Sequence, residues 1–435
     1  MKKTIILAIV CLAIAAVSFS FGMAVNRYAD TGSLMAFAAP VAQVIPGIYD
    51  RVQDFDISPA TDLTPLSTIW DVRQKVLNNY VYPVEDEKKL TYGAIKGMLE
   101  SLDDPYTRFL DPEEFKEFQI DSEGHFEGIG AVLQAKTDDE TGEQVIEITS
   151  IIPNGPTSRT EIRQGDRIVK VDDKPVKGET LTEVVHRIRG HKGTEVTLTL
   201  IRESKPEPFD VTITRDEIDI PTVESKMLDD KVGYVWLRQF NQLAVDETRK
   251  AIEELQEEGM EALILDLSMN PGGLLDAAVG ISSLFLDGGP VVYIEARDMK
   301  EQVLKAKSGT LVDEDIPMVC LIDPGSASGS EIVAGALKDR ERATVVGQRS
   351  FGKSKVQTII ELRDNSALFL STAVYLTPHK TDIGLEDDDG NRGLVPDREL
   401  PEFDPEKDSD HTVESWHELQ IEQAVKVLEE ISKER

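Results

Sequence analysis

The amino-acid sequence predicts a multidomain α+β protein, in which helical N- and C-terminal flanks enclose a strand-rich segment and an α/β core. Its 435 residues exceed the length of an ordinary single domain, and its 40% hydrophobic content suffices for several cores. Apolar residues recur at helical spacing early in the chain, short strands with glycine turns follow, and strands then alternate with helices. These three observations together predict the fold class.

The N-terminal segment, residues 1–27, has two lysines before a long apolar stretch. Lys2 and Lys3 precede a nearly uncharged run, Thr4–Val25, that can span a bilayer and exceeds the usual apolar stretch of a signal peptide. Small residues in Ala36–Ala39 also offer a cleavage site, so an anchor and a cleaved signal both remain open. Because the positive charges come first, we expect the rest of the chain to lie outside the cytoplasm, either anchored or secreted.

Residues 28–62 mix small, polar and proline residues and are interpreted as a linker. The helical flank covers residues 63–118, where apolar side chains recur every three or four positions, at Ile69, Val72, Val76 and Tyr80. A second helix is predicted over Ala94–Leu102, and it ends at the turn residues Asp103–Tyr106.

Two segments make up the middle of the chain. Residues 119–207 are predicted to form a helix at Thr180–Arg189, the strands Gly128–Leu133, Val145–Ile148 and Val196–Ile201, and a turn followed by a strand at Gly165–Val171. Residues 208–400 are predicted to form the strands Val232–Leu237, Ala262–Leu267, Pro317–Ile322 and Ala343–Val346, the helices Val245–Glu258 and Glu331–Leu337, and a hairpin of Val356–Leu362 with Ala367–Leu376. The last segment, 401–435, is acidic and then helical from Val413 to Ser432.

Charge and cysteine content argue against several classes of protein. The formal net charge of −33 disfavours nucleic acid or an anionic membrane surface as the main partner, because both require basic protein surface. The two cysteines, Cys11 and Cys320, do not predict a disulfide, since one lies in the apolar N-terminal run. Cys320 lies on a predicted strand and is interpreted as a small buried residue rather than a nucleophile.

The candidate nucleophile lies in the glycine- and serine-rich break Gly325–Glu331, between a predicted strand and a predicted helix. Such a junction can place a serine hydroxyl at a helix N-terminus, where outward-pointing N–H groups favour developing negative charge. A second segment, Phe351–Gln357, offers Lys353 in a glycine-flanked turn. Because a buried, neutral lysine can act as the base of a serine, the two segments together suggest a serine–lysine hydrolase.

Base activity near neutral pH requires that desolvation lower the pKa of Lys353 by several units from about 10.4. Phe351 and Val356 flank the lysine and favour such burial; the alternative is a hairpin-turn lysine in water. A hydrolase also needs N–H donors for an oxyanion. Asn270–Gly273 follows a predicted strand at its carboxyl end, where sites in α/β sheets cluster, and Gly329 offers a second N–H. Taken alone, the Asn-Pro-Gly-Gly sequence is simply a turn.

The sequence also contains patterns of three competing kinds of site. Gly347–Ser354 matches the phosphate-loop pattern G-x-x-x-x-G-K-S, but a nucleotide site needs a helix after the loop, and the β-branched run that follows predicts a strand. We therefore reject an ATPase or GTPase, that is, a nucleoside triphosphatase with a phosphate-binding loop. Zinc binding is rejected because Ile421 takes the place of the second ligand in an H-E-x-x-H motif beginning at His417, and the other histidines are interpreted as solvated surface residues. A Ser–His–Asp triad using His379 is not excluded by spacing, but lysine is the better base candidate.

With these residues assembled, the chain resembles the tail-specific, carboxy-terminal processing proteases. The family's nucleophile pattern S-A-S-A-S-E is similar to Ser326–Glu331, in which Ser328 is the third residue. Its lysine motif F-G-K-G-x-V-Q resembles Phe351–Gln357, at the family's separation from the serine. Further similar segments are Leu102–Thr107, Phe126–Gly130 at the opening of a PDZ domain, Leu265–Gly273, Tyr375–Pro378 and Gly393–Asp397. Three departures are Gly329 for alanine, Ser268 for arginine and Ser354 for glycine, and none removes a reacting group.

The resemblance implies an α/β protease core with an inserted PDZ domain, which is a β-sandwich with helices. It implies a serine endopeptidase that needs no metal or other cofactor. Ser328 is then the nucleophile, Lys353 its base and Gln357 the side chain that orients the lysine. In such an enzyme the oxyanion donors suggested above, the N–H groups of Gly329 and of either Gly272 or Gly273, would stabilise the oxyanion.

The same resemblance implies protein substrates with apolar C-terminal tails, whose carboxylate binds the backbone of Gly128, Ile129 and Gly130. The helical flanks resemble elements that dimerise related enzymes, which implies a homodimer; the alternative is a flanking helix without this role. A further hypothesis is that the PDZ domain gates the active site until a tail or an activating protein binds. The alternative from another class is a catalytically inactive PDZ adaptor that binds tails without cutting them, which the presence of Ser328, Lys353 and Gln357 disfavours.

Overall fold

The structure is a computed structural model that describes residues 64–137, 144–202, 204–220, 222–228, 231–401 and 413–434. Its α-helices are α1 (Thr64–Asn79), α2 (Glu87–Glu100), α3 (Pro112–Glu123), α4 (Leu181–Ile188), α5 (Ala244–Glu257), α6 (Leu275–Ser282), α7 (Gly329–Asp339) and α8 (Val413–Glu434). A short 3₁₀ helix covers Pro156–Arg159.

The strands are β1 (Arg108–Leu110), β2 (His125–Gly128), β3 (Ala131–Thr137), β4 (Gln144–Ile151), β5 (Arg167–Val171), β6 (Lys174–Pro175), β7 (Glu195–Arg202), β8 (Lys205–Thr214), β9 (Asp216–Asp219), β10 (Val223–Met227), β11 (Val232–Leu237), β12 (Ala262–Asp266), β13 (Pro290–Ala296), β14 (Gln302–Lys305), β15 (Met318–Ile322), β16 (Thr344–Gly347), β17 (Lys355–Glu361), β18 (Ala367–Leu376) and β19 (Arg398–Glu399). Mixed helix and sheet confirm the predicted α+β class.

The predicted membrane or signal run, Thr4–Val25, and the linker that follows lie outside the described residues. Among the helices of the described ranges, none is both long and apolar enough to cross a membrane.

The chain divides into two compact units. Of the described residues, the first unit comprises those up to Phe115 together with Leu286–Gly309 and Gly352–Leu394, and the second comprises those within Lys116–Phe285, within Thr310–Phe351 and from Val395 onward.

The first unit is built on a five-stranded antiparallel sheet. Strand β18 is central: it pairs with β17 along its length, with β1 near Ala367 and with β13 near Leu376, and β14 lies outside β13. Helix α2 packs on β1, where the rings of Tyr92 and Phe109 lie 5.0 Å apart. This helix begins earlier than the predicted Ala94, because the Asp86 carboxylate caps it by accepting a hydrogen bond from the Lys88 N–H at 2.9 Å.

The second unit contains the strand-rich segment, whose sheet has the order β3-β4-β5-β7-β8, with β6 paired to β5. Its inward-facing side chains form one apolar core that includes Ile148, Leu198 and Val184 of α4. Helix α4 begins where the sequence predicts, since Thr180 and Glu183 form a reciprocal capping box. Strand β3 is an edge strand of this sheet among the described residues.

The second unit also contains a six-stranded sheet of order β10-β11-β12-β15-β16-β19, parallel except for β10. One face packs against Ile421, Ala424 and Leu428 of α8, and helices α5 and α7 contact strands of the same sheet. Every residue of β12 and β15 is buried, as expected for central parallel strands. Because β12 and β15 are parallel neighbours, the loops that follow them leave the sheet at the same edge.

Candidate active site

Ser328 occupies the turn between β15 and α7, directly before the first residue of the helix. Its backbone has φ 51° and ψ −107°, in the left-handed half of φ that non-glycine residues rarely adopt. Such a conformation costs about 1–3 kcal/mol and persists only where the surroundings enforce it. Here the Ser328 N–H donates to Glu331 Oε2 at 2.8 Å, and Glu331 Oε1 accepts from the Ser350 hydroxyl at 2.5 Å. Since Glu331 is buried, this contact fixes the strained turn from inside the fold.

The loop after β12 is bonded to the loop after β15. The Asn270 carbonyl accepts hydrogen bonds from the Ala327 N–H at 3.0 Å and from the Ser330 hydroxyl at 2.8 Å. The Ser326 hydroxyl donates to the Leu267 carbonyl at 2.8 Å. The predicted oxyanion segment and the predicted nucleophile are therefore brought together, as the shared sheet edge requires.

Asp323, which was not predicted as a site residue, bridges the same two loops. Its Oδ1 accepts from the N–H groups of Met269 and Gly325, each at 2.9 Å. Met269 has φ 59°, so this bond holds a residue in the unfavourable left-handed region. An aspartate at the end of a buried strand gives no sequence signal for such a role, because its partners are set by the neighbouring strand.

The two glycines of the Asn-Pro-Gly-Gly turn are both required by the geometry. Gly272 has φ 96°, and a Cβ there would lie 2.8 Å from the Ser328 Cβ; Gly273 has φ 148°, and a Cβ there would lie 2.2 Å from the Phe240 carbonyl oxygen. The Gly272 N–H already donates to Asn270 Oδ1 at 2.9 Å. Within the described ranges, the N–H groups of Gly273 and Gly329 have no hydrogen-bond acceptor.

A buried polar network begins at the end of β12. The Asp266 carboxylate is fully buried and accepts from the Tyr234 hydroxyl at 2.7 Å, and its Oδ2 also lies 2.7 Å from His417 Nε2. Burial and the charge of Asp266 raise the pKa of Tyr234, so the phenol stays protonated. Burial alone lowers the pKa of His417, but the hydrogen bond and the negative charge of Asp266 outweigh it, and the net shift is upward.

His417 was considered in the sequence only for zinc. The structure places it on α8 with its side chain 11% exposed, and Ile421, the residue in place of a second ligand, packs into the core. No group of three potential metal ligands occurs among the described residues. His417 and Asp266 lie 151 residues apart in the chain, so no local sequence pattern predicts that they are paired.

Lys353 and Gln357 lie together in the first unit. Lys353 Nζ donates to Gln357 Oε1 at 3.1 Å, and Gln357 Nε2 donates to the Tyr106 carbonyl oxygen. The Tyr106 ring centroid lies 5.1 Å from Lys353 Nζ. Because the main-chain carbonyl accepts from the amide nitrogen, the amide oxygen of Gln357 is left to face the lysine.

The surroundings of Lys353 differ in part from the predicted apolar flanks. Lys353 and Val356 are half-buried, but Phe351 is 53% exposed, and the aromatic ring near Nζ belongs instead to Tyr106. Lys353 also precedes strand β17 and not a helix, so the segment lacks the geometry of a phosphate loop. Cys320 is fully buried, and burial raises the pKa of its thiol, which agrees with its interpretation as an inert core residue.

Asp104 fixes the segment that carries Tyr106. Its two carboxylate oxygens accept from the Tyr106 N–H at 3.1 Å and from the Thr107 hydroxyl at 2.7 Å. Partial burial opposes ionisation, but the hydrogen bonds from the Thr107 hydroxyl and the Tyr106 N–H lower the pKa of Asp104 overall. This segment resembles a family motif to which the sequence assigned no role; in the structure its Tyr106 carbonyl orients Gln357.

Gly128 is the last residue of β2, and Ile129 and Gly130 connect it to β3. The Ile129 carbonyl accepts from the N–H and the hydroxyl of Thr157, at 2.9 and 2.6 Å. Gly130 has φ 73°, and a Cβ there would lie 3.2 Å from the Gly155 Cα, so glycine is needed. This connection thus lies at the start of an edge strand, beside which α4 packs.

Comparison with known proteins gives three family matches along the chain. Residues 231–400 match peptidase family S41, residues 118–201 match the PDZ domain, and residues 50–114 match the N-terminal domain of the activating protease CtpB. These matches cover the α/β core, the strand-rich segment and the helical flank respectively.

Two curated relatives extend over most of the chain. The carboxy-terminal-processing protease of Bartonella bacilliformis is 38% identical over 348 residues, which cover 79% of this chain and 76% of the relative. The carboxy-terminal processing protease CtpA of Bacillus subtilis is 37% identical over 79% of this chain and 71% of the relative. Among solved structures, the photosystem II D1 C-terminal processing protease is 30% identical, with 76% of this chain and 86% of that chain covered and a TM-score of 0.43.

Proposed function

Since this chain belongs to peptidase family S41 and is a serine-type carboxy-terminal processing protease with a PDZ domain, we propose that Ser328 and Lys353 are its catalytic pair. The proposed substrates are proteins with apolar C-terminal tails. The observation that carries the assignment is the strained backbone of Ser328 at the N-terminus of α7, bonded to a glycine loop.

In the proposed reaction, the Ser328 oxygen attacks the scissile carbonyl carbon, and its proton passes to the neutral amine of Lys353. The carbon–nitrogen bond then breaks, and the ammonium of Lys353 returns the proton to the leaving amine. Water then attacks the carbonyl carbon of the acyl-enzyme while Lys353 accepts its proton; as the ester bond to Ser328 breaks, the Lys353 ammonium returns that proton to the serine oxygen. Gln357 Oε1 and the Tyr106 ring support this role, because both stabilise the positive charge that develops on Nζ.

We assign the oxyanion to the N–H groups of Gly273 and Gly329. Support comes from the engagement of the Gly272 N–H by Asn270, whereas the other two lack an acceptor among the described residues. Gly329 is also the first residue of α7, where the helix dipole favours negative charge. Loss of one such donor typically raises the barrier by about 2.7–4 kcal/mol.

We propose that the PDZ domain binds the substrate tail by strand addition to the edge of β3, with the terminal carboxylate at Gly128–Gly130. Tail binding then gates the peptidase site. The residues Lys2 and Lys3 before Thr4–Val25 favour an extracytoplasmic location, either anchored or released. We also propose that the chain forms a homodimer through the helical flank and that an activating protein controls it. Exposed apolar side chains on α1 support both contacts; among them is Trp70, which is 59% exposed.

The test is cleavage of an unfolded protein with an apolar C-terminal tail by the full chain in detergent. Ser328→Ala and Lys353→Ala are expected to abolish cleavage, whereas Lys355→Ala, an exposed neighbouring lysine, retains it. A substrate whose tail ends in an amide is expected to bind more weakly, because the carboxylate contact is lost.

Each other outcome contradicts a specific part of the proposal. Cleavage that survives Ser328→Ala shows that the nucleophile is wrong. Tail binding without cleavage in every variant, including when a second chain or partner extract is added, indicates an inactive adaptor. Equal binding of the acid and amide tails contradicts the assignment of the carboxylate site.

A further inference from the structure

The Asp266 carboxylate joins the C-terminal helix to the start of the oxyanion loop. It is the last residue of β12 and has no exposed surface. Its Oδ1 accepts from the Ser268 N–H at 2.8 Å, while its Oδ2 contacts Tyr234 and His417, each at 2.7 Å. One carboxylate therefore holds a loop residue on one oxygen and a helix side chain on the other.

A fully buried carboxylate is costly unless an opposite charge or several hydrogen bonds compensate it. Tyr234 and the Ser268 N–H are neutral donors, so His417 is the partner that can carry a compensating charge. Several titratable or charged groups face Asp266 and His417. They are Tyr234 of β11, Arg238 directly after β11, Glu224 of β10, Cys320 of β15, and Asp323 of the loop after β15. Arg238 is ion-paired to Glu224 at 2.7 Å, which offsets its repulsion of an imidazolium.

The same histidine also contacts the second support of Ser268. The Trp236 indole N–H donates to the Ser268 carbonyl at 3.1 Å, and the Trp236 ring lies 4.6 Å from the His417 ring. Ser268 is thus held by its N–H through Asp266 and by its carbonyl through Trp236. Both holding groups touch His417, which lies on α8 and far from the loop in sequence.

Ser268 is followed by the residues that shape the oxyanion loop. Met269 is bonded to Asp323, and Asn270 binds both Ala327 and Gly272. A displacement of Ser268 therefore has to be absorbed within a short segment that lies against the Ser328 turn. Positioning errors of this kind reduce rate more than binding, because the oxyanion donors act mainly in the transition state.

We propose that His417 is a positioning residue for the oxyanion loop, and that its imidazolium, bound to Asp266, supports faster turnover than its neutral form. This inference rests on the proposed function, since it assigns the control of the same site. His417 itself touches neither substrate nor the reacting atoms.

The direction of the pH effect follows from the interaction with Asp266. The pKa of His417 is raised above its unfolded value of about 6.5, so the charged contact is fully present below that value. It is lost as the pH rises through the folded pKa. The favourable contribution to both loop position and stability therefore declines on the alkaline side.

The test compares the full chain with His417→Gln, which keeps an N–H donor but cannot be charged. The kcat and KM for cleavage of the tailed protein are measured across the titration of His417. The titration of Lys353 affects both proteins equally, so the informative quantity is the kcat of the parent divided by the kcat of His417→Gln at each pH. We expect this ratio to be about fivefold at low pH, from the loss of one charged contact in the variant, and to fall to a constant lower value at high pH, with KM unchanged.

An independent reading of the protonation state comes from Trp236. An adjacent imidazolium quenches indole fluorescence, so the emission difference between the parent and His417→Gln gives the midpoint of His417 directly. Glu418→Gln, an exposed neighbour on the same helix, controls for general effects on α8. Asp266→Asn is the second variant, and it is expected to shift the His417 midpoint downward.

The expected result is a kcat ratio that changes with the same midpoint as the fluorescence. A ratio that does not vary with pH, or a midpoint unaffected by Asp266→Asn, overturns the inference while leaving the proposed peptidase intact. Cleavage that Ser328→Ala does not remove overturns the proposed function itself, and the inference falls with it.

Discussion

The strained conformation of Ser328 predicts an unusual order of stability among its variants. At φ 51° a residue with a Cβ pays a steric penalty that glycine avoids. Ser328→Gly and Ser328→Ala both remove the hydroxyl, so the difference between them reports the backbone alone. We expect the glycine variant to be the more stable of the two.

The magnitude follows from two opposing contributions. The left-handed conformation costs about 1–3 kcal/mol for a non-glycine residue. Glycine loses about 0.5–1 kcal/mol more conformational entropy on folding than alanine. The net expectation is that Ser328→Gly exceeds Ser328→Ala by about 1 kcal/mol, or roughly 2–4 °C in Tm for a domain of this size.

The assay is thermal unfolding of the full chain by differential scanning fluorimetry, with Ser330 as the matched control. Ser330 lies in α7, where alanine is favoured over glycine, so the same pair of substitutions there is expected to give the reverse order. Equal stability of the two Ser328 variants, or a more stable alanine variant, refutes the claim that the nucleophile turn is strained.

Three further predictions concern the groups around the site. Gln357→Met removes the acceptor for Lys353 Nζ, and we expect kcat to fall about tenfold at nearly constant KM, as for one hydrogen bond of about 1–1.5 kcal/mol; steady-state kinetics check this, and a change in KM alone contradicts it. Asp104 has a lowered pKa, so its contribution to stability is present above its unfolded pKa of about 3.9 and is lost as the pH falls through the folded value. Asp104→Asn is therefore expected to lower Tm more at pH 6 than at pH 3, and a difference in Tm that is the same at both pH values is the opposing result. Arg202 is paired at 2.6 Å with the fully buried Asp166 of the PDZ domain, and Arg202→Met is expected to lower Tm more than the double variant with Asp166→Asn, because only the single variant leaves a buried uncompensated charge.

The central strands and the nucleophile loop were predictable from the sequence. Parallel strands buried on both faces have unbroken apolar runs, and Val232–Leu237 is both the predicted and the observed strand. The break at Gly325–Glu331 predicted a turn between strand and helix, which the structure contains. These elements are determined by residues close together in the chain. Apolar periodicity and turn-forming residues are local patterns of this kind, so they predict such elements.

The supports of the site were not predictable in the same way. Tyr106 reaches Gln357, and His417 reaches Asp266, across separations that no local pattern encodes. The involvement of Asp323 likewise depends on the parallel pairing of β12 with β15. The early start of α2 was missed for a local reason, since the Asp86 cap precedes a stretch with weak apolar periodicity.

The preference for Gly273 over Gly272 as an oxyanion donor also needed coordinates. Both glycines have positive φ and follow the same strand, so their sequence context is equivalent. Only the bond from the Gly272 N–H to the Asn270 side chain separates them.

The most direct test of the serine–lysine assignment is to trap the acyl-enzyme. The full chain is mixed with an activated ester of a tail peptide, quenched in acid, and digested for mass analysis. We predict an acyl group on the peptide that contains Ser328, and acylation slowed about 10²–10⁴-fold by Lys353→Met, as expected for loss of a general base. Acylation at another residue, or at an undiminished rate without Lys353, would contradict the account.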